Sequence, residues 1–150
     1  MNQDKLDNWN IIALFPFVYF GLLASYSLFH IFALGDYEGK DGQWGSFKIE
    51  LWIHGFATFM AFISYFIGLG LVKTAVWRLS RQRLASITVL SALLSWVALV
   101  TFVIIRHHIA SMLFYFLFLA GSVCLFPALI GVWLVKTHQR WYAAHPSAQQ

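Results

Sequence analysis

The chain carries six histidines. Four of them, His30, His54, His107 and His108, stand at or near the ends of long apolar runs. His54 lies furthest inside such a run, in "KIELWIHGFATFMAFISYFIGLGLVK" (48–73). An ionisable side chain at membrane depth marks a candidate functional site by default. Neutral imidazole is the commonest metal ligand, and haem iron takes it axially. Arg106 directly precedes the His107–His108 pair, where a guanidinium could meet a haem propionate. The candidate ligands for haem or a metal are therefore His54 first, then His107 or His108, then His30, with Arg106 as a further cofactor contact. No catalytic residue is assigned. Glu50, one turn before His54, is placed to orient its imidazole.

Each of these residues has a plainer reading. A histidine such as His30 at a helix end also suits the headgroup region, and Arg-His-His also makes a solvated helix end. Arg106 also serves as an anchor, and Glu50 as a carboxylate in water. His138 and His145 belong to a polar tail. Cys124, the one cysteine, reads as a small packing residue.

The elements that would position these groups follow from composition. Hydrophobic residues make up 60% of the 150, charged residues 11%, and the mean hydropathy is +0.69. Soluble domains carry about 25% charged residues, so the chain reads as one integral membrane domain, 1–150. A span needs about 20 apolar residues. Four segments meet that: 11–34, 49–72, 84–105 and 111–135. A soluble bundle would need a polar face on each helix, and "FATFMAFISYFIGLGL" has none. The connections 35–47, 73–83 and 106–110 are short, which predicts an all-α up-down bundle of four transmembrane helices. The polar opening "MNQDKLDNWN" lacks the basic region of a cleaved signal peptide, so the first helix is expected to stay in the membrane.

Basic residues set the orientation. Lys5, Lys73, Arg78, Arg81, Arg83, Lys136 and Arg140 fall on one side, against Lys40, Lys48 and Arg106 on the other. Both termini are then cytoplasmic, and the four candidate histidines gather at the outer face of a multi-pass protein of the bacterial inner membrane. Six of the seven tryptophans lie near predicted ends, as interfacial aromatics do, and Trp96 is the exception.

Helical spacing puts these groups on interior faces. His54, Thr58, Ala61, Tyr65 and Gly68 form one stripe of small and polar residues on the second helix. On the first, His30 shares a face with Tyr26 and Tyr19. The fourth helix offers Tyr115 and Ser122. Histidines projecting from separate helices into a bundle are how haem and metal sites are built in such folds. The sequence contains no H-E-x-x-H, phosphate-binding glycine loop or serine elbow. All six acidic residues precede or begin the second helix, which argues against a carboxylate-driven pump.

The order "LFHIFALG", a polar loop, then Trp52, His54, Gly55 and Phe56 resembles the first two helices of NnrS-type membrane proteins. It is also similar to the wider haem–copper oxidase superfamily, which places a haem-ligating histidine near the outer end of its second helix. The resemblance covers about residues 15–75. The second histidine and the Glu-Met pair of the family pattern do not follow His54 here. It implies that His54 ligates haem or copper and that the function concerns nitric oxide or respiratory redox chemistry.

The resulting expectation is a small membrane protein binding haem b, or copper, at an outer histidine cluster. It would serve respiratory electron transfer or bind a diatomic gas such as NO or O2. The alternative is a cofactor-free accessory or assembly subunit of a respiratory membrane complex. A third reading is a carrier or membrane enzyme using His54 as a base. Expected partners are the lipid bilayer, other membrane subunits or a second copy, and a quinone near the interfacial Trp and Tyr residues, with no nucleic acid.

Overall fold

The computed structural model describes residues 3–35, 42–105 and 112–144. Arg106, His107 and His108 lie outside these residues. Within them every regular element is helical: α1 (Gln3–Ile12), α2 (Leu14–Leu28), a π-helical turn (Phe29–Ala33), α3 (Gly42–Leu71), α4 (Lys73–Val76), α5 (Arg81–Ile105), α6 (Met112–Cys124) and α7 (Phe126–Ala144). Three stretches among the described residues are long and apolar enough to cross a membrane: Asn8–Ala33, Gly42–Leu71 and Arg81–Val103.

Two prolines explain two breaks. Pro16 has no N–H to offer the carbonyl one turn back, and the irregularity between α1 and α2 falls at Ala13, within that turn. Pro127 does the same between α6 and α7. There the hydroxyl of Ser64 on α3 donates to the Cys124 carbonyl, so a neighbouring helix satisfies a backbone group beside the break. The first helix ends in the π-turn carrying His30, closed by Leu34 N–H donating to the Phe29 carbonyl at 3.3 Å. Gly35, at φ 67°, then takes the chain out through a left-handed conformation open to glycine.

The helices pack as a ring in which α1–α2 touches α3 and α5, and α6–α7 touches the same two. The second and third helices of the sequence, α3 and α5, therefore face each other across the bundle diagonal. The expectation of sequential antiparallel neighbours does not hold for this pair. The cause is close packing of α3 on α7. A Cβ on Gly68 would come within 2.7 Å of the Ala128 backbone, and one on Gly131 within 2.9 Å of the Tyr65 ring. Gly68 lets α3 and α7 approach to backbone contact, and Gly131 makes room for the Tyr65 ring. Phe15, Tyr19 and Tyr65 are fully buried against one another, with Phe15 and Tyr65 ring centroids 4.4 Å apart and nearly parallel.

Candidate functional site

The stripe read from α3 is the face it buries. Thr58, Ala61, Tyr65 and Gly68 are buried and His54 half-buried, while Trp52, Phe56, Phe59 and Ile67 stand exposed. The apolar residues cover the outside and leave the interior to small and polar side chains, the arrangement a bilayer favours.

His54 meets α2 at Ser27, a buried residue whose hydroxyl lies 3.5 Å from both Nδ1 and Nε2. That is a long contact. It holds the ring beside a polar neighbour without using either nitrogen fully. On its other side His54 lines a cavity of about 430 Å³ bounded by α2, α3, α5 and α6. This volume lies within the range of small-molecule sites, roughly 300–1,000 Å³. The walls are almost wholly apolar, with Leu23, Ala57, Leu99 and Val123 among them. Tyr26, Met60 and Cys124 add the other polar or polarisable atoms.

His30 takes a different position. It is half-buried in the π-turn, and its ring stacks at a tilt on Tyr26, centroids 4.3 Å apart. Tyr26 thus connects His30 to the cavity that His54 lines, while His30 itself is not among the wall residues. Glu50 is half-buried one turn before His54. His138 lies at the far end of α7, beyond the apolar stretch, and burial first and Arg83 second hold it below its usual 6.5.

No family model, curated protein or solved structure matches this chain. The NnrS-like spacing therefore rests on its own residues.

The donor set bears on what the cavity can hold. Among the described residues no three of His, Cys, Asp and Glu gather as a metal-ion site. A copper ion held by several protein ligands would have to draw on His107 and His108, outside the described residues. Haem makes a smaller demand. It needs one or two axial side chains and an apolar slot for the ring, and His54 on an apolar wall meets that demand. Met60 and Cys124 are further side chains of axial-ligand type on the same cavity.

Sequence reasoning passed over two features. Ser27, the neighbour of His54, lies one residue from the Tyr26–His30 face, and a lone serine in an apolar helix gives little signal. The row Thr88, Ser91 and Ser95 on α5 is fully buried. Its three- and four-residue spacing is a helical stripe that "SITVLSALLSW" displays openly.

Proposed function

We propose that the chain is a four-span protein of the bacterial inner membrane whose outer-half cavity binds haem b, with His54 as axial ligand. In this reading α6 and α7 together make the fourth span, and both termini are cytoplasmic. Haem supplies one-electron chemistry and gas binding when held. The protein's own part is to present the His54 imidazole, keep water from the ring with apolar walls, and restrain the imidazole beside Ser27. Arg106 and a second histidine, His107 or His108, are the remaining candidates for the propionate and the other axial position. The role would be electron transfer or diatomic gas binding in a respiratory setting, as the NnrS-like segment implies.

The observation that carries the reading is one imidazole on the wall of a largely apolar cavity of about 430 Å³ among the helices. The test is the Soret absorbance of protein purified from its native membrane, beside His54→Ala. The wild type should show the band and the variant should lose it at unchanged folding. Equal bands in both would remove His54 from the site.

One observation favours a second reading, a cofactor-free accessory subunit. Ile49, Trp52, Phe56, Phe59, Ile63 and Phe66 repeat at alternating spacings of three and four along the exposed face of α3. That is the seam one helix offers another as well as lipid. Co-purification with partner chains and no chromophore would decide for it.

A further inference from the structure

The buried hydroxyls form a ladder on the bundle axis beneath the cavity. Its lowest rung is a hydrogen bond across the diagonal, Tyr65 Oη to Thr88 Oγ1 at 3.1 Å. From Thr88 toward the His54 end, α5 places Ser91 and then Ser95; from Tyr65 in the same direction, α3 places Thr58 and then His54. Thr58 is seven residues from Tyr65 and Ser95 seven from Thr88, so at 1.5 Å per residue both stand about 10 Å above the bonded pair. Ser91 lies beside the Tyr65 phenol. Tyr19, one turn beyond the Phe15 ring that stacks on Tyr65, supplies a phenol to the same interval. The His54–Ser27 contact closes the top.

Most of these hydroxyls lack a partner. Tyr19 Oη, Thr58 Oγ1, Ser91 Oγ and Ser95 Oγ are buried, with relative exposures of 0%, 6%, 0% and 0%, and none is hydrogen-bonded among the described residues. Three other hydroxyls fold back onto their own helix, Ser25 to Gly21, Ser86 to Gln82 and Ser122 to Leu119, at 2.8, 3.0 and 2.9 Å, and Ser64 donates to the Cys124 carbonyl. The axial hydroxyls do not. In a bilayer interior an unbonded hydroxyl costs free energy, and buried polar groups of this kind are normally completed by ordered water. Successive rungs lie about one helical turn apart, roughly 5 Å. One water with two hydrogen bonds of about 2.8 Å bridges that interval.

We infer that the axial ladder binds a file of water molecules joining His54 to the Tyr65–Thr88 pair. Each hydroxyl and water both accepts and donates, so the file can carry an unbroken chain of hydrogen bonds from the Tyr65–Thr88 pair to the His54 imidazole. It is a blind path. One turn beyond Tyr65 and Thr88 stand Leu69 and Leu84, both buried and both apolar. The file therefore serves the His54 site and does not cross the membrane. This deepens the proposed reading by giving the His54 imidazole hydrogen-bond partners inside the bundle, while the water itself does not depend on which ligand binds.

Radiolytic labelling of the purified full chain in lipid nanodiscs tests it, because ordered internal water generates hydroxyl radicals that modify the side chains beside it. Modification of Tyr19 and Tyr65, both fully buried, should be found in the wild type, with the exposed Phe59, which does not line the His54 cavity, as reference. The paired variant Thr58→Val, Ser95→Ala, close in shape to the native residues, should lose Tyr19 labelling several-fold. Absence of labelling at both tyrosines in the wild type would overturn the proposal, as would labelling unchanged in the paired variant. Because the readout is water and not a chromophore, a failed haem assay and a failed water assay remain distinguishable.

Discussion

The two ends of the bundle are built on opposite terms. At the Lys73 end, α3 meets the α7 backbone at Gly68, Gly131 seats the Tyr65 ring, and Phe15 stacks on that ring. At the His54 end the same helix α3 lines a cavity of about 430 Å³ between four helices. Gly68 is buried and a Cβ on it would strike the Ala128 backbone, whereas Gly55 on the exposed face of the same helix has nothing within 4 Å. Side chains on the cavity wall forgo the dispersion attraction that a filled interior would give them, which is the structural cost of having a site there.

Four experiments bear on this contrast. The largest effect is expected for Gly68→Val. The atoms in its way are backbone, so α3 and α7 must part, and overpacking of this kind costs about 1–3 kcal/mol or more. Thermal denaturation and membrane yield should both fall sharply, while Gly55→Ala changes neither. Equal behaviour of the two variants would mean that the Gly68–Ala128 approach does not hold the tight end together. Next comes Ala57→Trp, which fills the cavity beside His54. It should abolish haem retention and leave the melting temperature near wild type. A bound chromophore surviving in that variant would place the ligand elsewhere.

A smaller effect belongs to the diagonal bond. Tyr65→Phe and Thr88→Val each remove one end of it, at about 1 kcal/mol apiece. The double variant should cost less than the sum of the singles, and strict additivity would mean the two residues do not act together. The smallest effect is at His138, outside the apolar segments. Its pKa is lowered in the folded chain by burial and then by Arg83, so the unfolded chain binds more protons below about 6.5. Stability should decline as pH falls through 6.5 toward the folded value, and His138→Gln should flatten that slope in thermal melts across the same range.

How far the sequence alone reveals these features differs residue by residue. The α3 stripe is visible there because helical periodicity and the avoidance of polar atoms by lipid act on the same positions. His54, Thr58, Tyr65 and Gly68 accordingly turn inward together. The three apolar stretches are visible from length alone, though α3 begins at Gly42, seven residues before the expected 49. The turn-rich composition of the loop conceals that helix start. Which helices touch is not readable, since short connections order helices in sequence and the diagonal placement of α3 and α5 depends on two glycine contacts with α7. Pro127 signals a break, but the Ser64 hydroxyl at the Cys124 carbonyl depends on that same crossing. The α5 hydroxyls are present in the pattern and carry little weight, because serine and threonine in an apolar helix so often bond their own backbone.

The function proposed for the open end stands or falls on haem in the His54 cavity. Its most direct test is the oxidised and dithionite-reduced visible spectrum of the protein purified from its native membrane, with iron determined on the same sample. Haem at His54 requires a Soret band, sharp reduced α and β bands, and iron in about equal amount to the chain, as one haem per axial site demands. A featureless spectrum from folded protein, with no iron, would contradict it and leave His54 as a polar packing residue in the subunit of a larger complex.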